Sequence, residues 1–349
     1  MTAIHSGNPA SNPTSNPASK PTSSPQPAPS WRGRDLVGLQ GLSRAELVSL
    51  LAASRDAAHQ LRHNSLEPSL RGRIVATMFF EDSTRTRSSF TVAAQRTGAS
   101  VVDLSGGSSS VNKGETLIDT ARNIEAMGVD AIIVRAKQSG AAQIVAAAAA
   151  CPIINAGDGR HEHPTQGLLD TLTIASRFDR DSSFDLSGLN VVIVGDIASS
   201  RVARSGIAAL TTLGASVTCV GPSSMAPSSL SALGCTVAHE LDPLLSTAHA
   251  VMMLRIQFER ADADAKPEQA KKSVIASVRE YRRFYALSAE RAERMRPGAI
   301  VLHPGPINRG IELDADVADG PRSVIMQQVT SGVAVRAAVL SLLVGGPRP

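Results

Sequence analysis

Aromatic side chains are scarce in this chain: Phe, Trp and Tyr make up 3% of its 349 residues, with a single Trp. The core must therefore be built from Ala, Val, Leu and Ile. Cysteine is equally sparse. Cys151, Cys219 and Cys235 lie far apart and form no C-x-x-C pair. An odd, scattered set reads as reduced thiols of a cytoplasmic protein, not as a disulfide framework or a zinc site. No segment reaches the ~18 consecutive apolar residues that a membrane span requires. The N-terminus has no apolar core of the kind a secretory signal carries. Charge of one sign is never concentrated: the formal balance is +4, and like charges do not run in blocks. That mild excess gives no case for nucleic acid, and suits an acidic small substrate equally well.

What is present falls into distinct stretches. Residues 8–23 read NPAS-NPTS-NPAS-KPTS, and the first 30 residues hold seven Pro and seven Ser. Such a segment cannot bury apolar surface or propagate a helix, so residues 1–30 are expected to be a disordered, solvated tail. The globular part begins near Trp31. Ser43 followed by Glu46 predicts a capping box at the start of a helix. From there short apolar runs alternate with helical periodicity: GRIVATMFF, SVVDLS, VDAIIVRA and CPIINAG as strands, with helices between them. One of those helices is expected over GAAQIVAAAAA. The polar stretch DRDSSFDLSGL breaks the pattern, which then restarts at NVVIVGDI. The fold class expected is α/β, with two three-layer domains in series over 31–178 and 179–327. Each is built on a mainly parallel sheet, with the site in the cleft between them. A last apolar helix, over 328–349, has no strand after it and is expected to pack back on the first domain.

In parallel α/β sheets, ligands sit beyond the carboxyl ends of the strands. There the chain places E-D-S-T-R-T-R after the first strand, Arg135 after the third, and D-G-R-H-E-H-P-T-Q after the fourth. The second half adds S-S-R-V-A-R, Arg255 with Gln257, and H-P-G-P. Carboxylates are fewer: Glu81, Asp82, Asp158, Glu162 and Asp196. This is the composition of a site for a strongly anionic ligand. Ser83 or Thr84 can cap the next helix, whose free N–H groups and dipole then face an oxyanion, with Arg85 and Thr86 beside it. A plain capped helix with surface arginines is the alternative. His161 and His163 stand two apart, unlike the pairs that share a helix face around a metal, so His163 is better read as a donor to a carbonyl oxygen, with Gln166 nearby. A buried structural histidine is the alternative there. VVIVGD lacks G-x-G-x-x-G, which argues against a dinucleotide. Arg201 and Arg204, three apart, should diverge, one toward the cleft and one toward solvent or a partner. Arg255 and Gln257 alternate and should face one side of an extended segment. An ion pair with a protein carboxylate is the other use for Arg255.

Taken together, FFEDSTRTRSSF, SSSVNKGETLIDT, VRA, HEHPTQGLLD, SSRVARS, MMLRIQFER and HPGPINRGIE resemble, in order, the aspartate/ornithine carbamoyltransferase family and within it the aspartate carbamoyltransferase catalytic chain. The resemblance covers about residues 32–345. It implies transfer of a carbamoyl group from carbamoyl phosphate to L-aspartate, an early step of pyrimidine synthesis, with no cofactor and no metal. It implies a first domain that binds carbamoyl phosphate through Ser83, Thr84, Arg85, Thr86, Arg135, His163, Gln166, Gly305 and Pro306. Arg85, Thr86, Arg135 and His163 would be catalytic. L-aspartate would be bound by Arg201, Arg255 and Gln257 of the second domain, together with Lys113. Ser109 and Lys113, on the Gly/Ser-rich loop 105–115, would enter the neighbouring site of a homotrimer, although such a lysine is otherwise simply solvated. A larger assembly with a dihydroorotase-like or regulatory subunit is also implied; nucleic acid and membrane are not. The polar stretch KPEQAKKSV, residues 266–274, departs from the family's pattern. An enzymatic rival is ornithine carbamoyltransferase, whose turn reads H-C-L-P where this chain has HPGP, and whose second substrate needs a carboxylate where this chain has Arg255. A non-catalytic paralogue would have lost Arg85, Arg135 or His163; all are present.

Overall fold

Alternating strands and helices organise the computed structural model, which describes residues 29–105, 115–257 and 277–346. Residues 1–28 of the tail, Ser109 and Lys113 of the Gly/Ser loop, and the 266–274 stretch lie outside the described residues. Helix α1 (Arg44–Arg62) starts where the sequence predicts. Ser43 Oγ accepts from the Glu46 N–H, and the Glu46 carboxylate accepts from the Ser43 N–H, which satisfies two donors that the first turn leaves open.

The first sheet is formed by β1 (Ile74–Phe79), β2 (Ser100–Ser105), β3 (Ala131–Ala136) and β4 (Ile153–Asp158), all parallel, in the order β2-β1-β3-β4. Strands β3 and β4 are buried along their whole length. That follows from crossover helices covering both faces of a parallel sheet, and it explains why these strands read as continuous apolar runs. The crossovers are α2 (Thr84–Arg96), α3 (Leu117–Ala126) and α4 (Ala141–Ala146), and α5 (Pro164–Arg177) follows the last strand. Helix α4 is shorter than the run of alanines suggests. The Glu125 carboxylate accepts from the N–H groups of both Ala150 and Cys151 at 2.6 Å, which draws the chain out of the helix and toward β4.

The second sheet has the order β7-β6-β5-β8-β9, again all parallel: β5 (Asn190–Val194), β6 (Ser216–Val220), β7 (Thr236–Ala238), β8 (Ala250–Met253) and β9 (Ile300–Leu302). Helix α6 (Arg201–Thr212) links β5 to β6, and α7 (Val278–Tyr285), α8 (Ala289–Glu293) and α9 (Ala315–Ala318) lie near β9 in sequence. Strand β7 and these short helices carry too little periodicity to be read from the sequence. Cys219 on β6 and Cys235 are buried free thiols with their sulfurs 3.6 Å apart.

The chain ends in α10 (Ile325–Val344), a helix long and apolar enough to cross a membrane by length and composition, but one whose apolar window is 61% buried inside the fold. It packs against α1, α2 and α5, all first-domain helices. Phe79 of β1, Phe90 of α2 and the leucines of α1 complete that core. Each such fully buried side chain contributes about 2–3 kcal/mol by leaving water. Two polar side chains of α10, Gln328 and Arg336, are buried with it.

Candidate active site

Two clusters of basic side chains line the cleft between the sheets. The first joins the start of α2 to the turn after β9. Beyond β1 the chain passes through Glu81 to Ser83, the N-cap of α2. Ser83 has extended backbone, as a cap requires, but its side chain makes no capping bond. The expected hydroxyl cap is therefore not formed, and the N–H groups of the first turn keep their donors for another acceptor. Thr86 is buried, while Arg85, exposed along part of its length, reaches across to Gly305 with its guanidinium partly covered. Gly305 has φ +65°, a conformation that favours glycine, and a Cβ there would overlap the Arg85 guanidinium as it now stands.

His303 braces the same turn. Its Nδ1 accepts from the Gly305 N–H at 2.7 Å, which puts its proton on Nε2, facing Glu312 Oε1 at 3.1 Å. Asn308 Nδ2 donates to the Ile256 carbonyl at 2.9 Å and so ties the Arg255–Gln257 segment to this turn. Strand β8 ends at Met253, so Arg255 and Gln257 lie beyond it; both are half-buried, with Ile256 buried between them, as alternation predicts. Burial, and then the nearby Arg255, lower the pKa of Arg85. Two guanidinium groups held this close call for an anion between them.

The second cluster sits at the carboxyl ends of β3 and β4. Arg135 Nη2 donates to Glu81 Oε1 at 2.8 Å and its Nη1 to the Ala156 carbonyl at 2.9 Å. Arg201 opens α6 in the second domain. Its Nη2 donates to Glu81 Oε1 at 2.5 Å, and its Nη1 to Glu81 Oε2 at 2.9 Å. Both guanidinium groups lie over Gly157: a Cβ there would stand 2.8 Å from Arg201 Nε and 2.9 Å from Arg135 Nη1. Arg204 turns away, beside Gln40 and Thr211, so the pair diverges as its spacing predicts.

His163 caps α5 next to this cluster, followed by Pro164 at the first helical position. Burial, then the charges of Arg135, Arg336 and Arg201, push its pKa well below the ordinary value, so the ring is a neutral donor. Its backbone N–H donates to Ser205 Oγ at 2.9 Å, and Ser205 donates to Glu162 Oε2 at 2.7 Å. The same carboxylate accepts from the N–H groups of Leu39 and Gln40, at 2.7 and 3.1 Å. Glu162 thus joins the N-terminal segment, α5 and α6, and fixes where His163 stands. His161 points elsewhere, to Asp158 at 3.2 Å. Among the described residues, no group of His, Cys, Asp and Glu has a metal-binding arrangement.

Four contributors do not stand out in the sequence. Glu81 is visible there only as one of several carboxylates, because its two partners come from a distant strand, β3, and a distant helix, α6. Asp170 lies four residues after Gln166, hence on the same helical face, and that spacing is the available signal. Gln328 and Arg336 are signalled only as polar interruptions of an apolar helix.

Residues 34–176 match the family model described as aspartate/ornithine carbamoyltransferase, carbamoyl-P binding domain, and residues 187–343 match its Asp/Orn binding domain. The chain is 52% identical over 309 residues to the aspartate carbamoyltransferase catalytic subunit of Myxococcus xanthus, covering 88% of this chain and 99% of that one. It is 48% identical to the Rhodospirillum rubrum catalytic subunit, covering 91% and 96%. Among solved structures it resembles aspartate transcarbamoylase from Trypanosoma cruzi in complex with carbamoyl phosphate and aspartate, with a TM-score of 0.78 at 29% identity, covering 90% of this chain and 98% of that one. The complex of the same enzyme with N-(phosphonacetyl)-L-aspartic acid gives 0.75 at 29% identity, covering 90% and 97%.

Proposed function

The chain belongs to the aspartate/ornithine carbamoyltransferase family, and from that premise we infer how its cleft joins carbamoyl phosphate to L-aspartate. It is an aspartate carbamoyltransferase catalytic chain, releasing N-carbamoyl-L-aspartate and phosphate. We place this reaction in pyrimidine synthesis in the cytoplasm. The observation that carries the reading of the site is the convergence of Arg135 and Arg201, from different domains, over Gly157 beside a neutral His163.

The phosphoryl group suits the start of α2, where Ser83, Thr84, Arg85, Thr86 and the uncapped N–H groups form an anion site. The carbamoyl oxygen suits the donors Thr86, Arg135 and His163. When the aspartate amine attacks the carbamoyl carbon, charge grows on that oxygen, and each preorganised donor is worth roughly 3 kcal/mol there. His163 gives an N–H without adding a permanent positive charge. Gln166, Gly305 and Pro306 frame the carbamoyl group. Arg201, Arg255 and Gln257 suit the two carboxylates of aspartate. An ornithine side chain would instead bring an ammonium group toward Arg255 and Arg85, where like charges repel. The test is product formation by the purified chain with L-aspartate and, separately, L-ornithine. Carbamoyl-aspartate alone is expected; carbamoylation of ornithine overturns the assignment of the acceptor.

We also propose a homotrimer in which Ser109 and Lys113 serve a neighbour's site. What supports this is that β2, the strand that precedes these residues in sequence, lies at the edge of the first sheet. Mixing inactive Lys113→Ala and His163→Ala chains should then restore activity, because some sites in the hybrids carry neither defect. Hybrids as inactive as both parents overturn the shared site.

A further inference from the structure

A chain of hydrogen bonds of fixed polarity runs through the buried layer behind the cleft. It begins at the backbone N–H of His303, which donates to Gln328 Oε1 at 2.9 Å. A backbone N–H can only donate, so the carbonyl end of Gln328 must face it and the NH2 end must face away. That NH2 donates to Asp170 Oδ1 at 2.7 Å. The same oxygen accepts from Gln166 Nε2 at 2.9 Å. Gln166 therefore spends its NH2 on Asp170, and its carbonyl oxygen is the end left for the cleft. Asp170 is fully buried, and its Oδ2 has no hydrogen-bond partner among the described residues. Arg336 of α10 supplies positive charge nearby, and His163 of α5, Arg135 of β3 and Arg201 of α6 are further charged or titratable groups that act on it or on one another.

We propose that Asp170 is a positioning residue that orients the Gln166 amide so that its carbonyl oxygen receives the NH2 group of carbamoyl phosphate, and that it locks this orientation to the His303–Pro306 turn through Gln328. The proposal rests on the reading of the reaction given above. It makes the two ends of the carbamoyl group distinguishable. His163 offers a donor to the carbamoyl oxygen, and Gln166 offers an acceptor to the carbamoyl nitrogen. A substrate presented the other way round would set acceptor against acceptor. Helix α10, at the end of the chain, thus reaches the reacting group through one carboxylate.

Acetyl phosphate, which has a methyl group in place of the NH2, is the discriminating probe. Its binding, and that of carbamoyl phosphate and inorganic phosphate, would be measured by calorimetry on the full chain without aspartate. Wild-type protein is expected to prefer carbamoyl over acetyl phosphate. Asp170→Leu should reduce that preference by about tenfold or more, because a buried NH donor finds no fixed acceptor. Its affinity for acetyl phosphate and phosphate should change by less than about threefold. Asp170→Asn keeps an acceptor oxygen in place and should recover most of the preference. Because Asp170→Leu can cost stability, Gln328→Met, which cuts the chain at its other end, should reduce the preference in the same direction. Equal weakening of all three ligands means a scaffold role only and overturns the proposal, as does an unchanged preference in both variants or an Asn variant no better than Leu. A wild-type chain that makes carbamoyl-aspartate yet shows no preference also overturns it. A wild-type chain that makes no carbamoyl-aspartate overturns the reaction instead, so the two failures are separable.

Discussion

Arg201 and Glu81 meet across the cleft with both terminal guanidinium nitrogens engaged, Nη2 to Oε1 at 2.5 Å and Nη1 to Oε2 at 2.9 Å. One side chain opens the first helix of the second domain, and the other follows the first strand of the first domain. The Arg201 side chain is 6% exposed, so this pair is largely shielded from solvent, and Glu81 shares it with Arg135. The pair therefore orients two side chains that the reaction needs and holds the domains at a set separation.

Glu81→Gln should lower stability by about 2–3 kcal/mol, because it leaves two buried guanidinium groups without their counter-charge. The same change should lower kcat/KM for aspartate by roughly tenfold or more, as Arg201 loses its fixed direction. Denaturation midpoints and initial rates check this. A variant equal to wild type in both would sink the role given to Glu81.

Arg255→Ala should damage the use of aspartate much more than the binding of carbamoyl phosphate. Removing a bidentate charged partner from a half-buried site costs about 3 kcal/mol, a factor of roughly a hundred in kcat/KM. Separate titrations of the two substrates are the measurement. If aspartate kinetics are unchanged, Arg255 does not hold its carboxylate.

His163 is neutral throughout the working range, since burial and three arginines depress its pKa. Its titration should therefore contribute no limb to the kcat–pH profile between about pH 6 and pH 8. His163→Ala should lower kcat by roughly a hundredfold, and His163→Gln, which keeps a neutral N–H, should recover part of the loss. A depressed histidine also has a consequence for folding. The unfolded chain takes up a proton below about pH 6.5 while the native state does not, so this group's contribution to stability falls as pH falls. A rate profile in which His163→Gln abolishes a limb near neutrality would contradict this.

How far the sequence discloses the site depends on what kind of contact each residue makes. Ser83, Arg85 and His163 lie a few residues beyond the carboxyl ends of β1 and β4, and Arg135 is the next-to-last residue of β3 itself, not a residue after it, so topology locates them. The capping box at Ser43 and Glu46 is local, and it forms as read. Glu81 and Asp170 behave differently. Their roles depend on partners 120 and 158 residues away, and no local pattern encodes such pairings. Strand β7 and helices α7 to α9 are short, so tertiary packing outweighs periodicity there. The alanine run of α4 favours a longer helix by propensity, but the capture of two N–H groups by Glu125 ends it early.

The buried carboxyl of Asp170 yields a test on stability, separate from ligand binding. Burial raises its pKa to about 7, against an ordinary value of 3.8, with hydrogen bonds from Gln328 and Gln166 and the charge of Arg336 opposing that rise. Between those two values the native state keeps a proton that the unfolded chain releases. The native state thus binds more protons, and stability must fall as pH rises through that window, by about 1 kcal/mol per pH unit. Above about pH 7 both states are ionised and the loss levels off. Arg336, the charge nearest to Asp170 from α10, is itself lowered to about 10 by burial and so does not titrate in this window. Asp170→Asn has no proton to lose. Its stability relative to wild type should therefore rise steadily between about pH 4 and pH 7, then remain constant. Equilibrium denaturation of both proteins across that range, at one protein concentration, measures the difference directly. A difference that stays flat with pH would mean that Asp170 is ionised throughout, paired with Arg336 as a buried ion pair, and not a carboxyl that accepts its proton near neutrality.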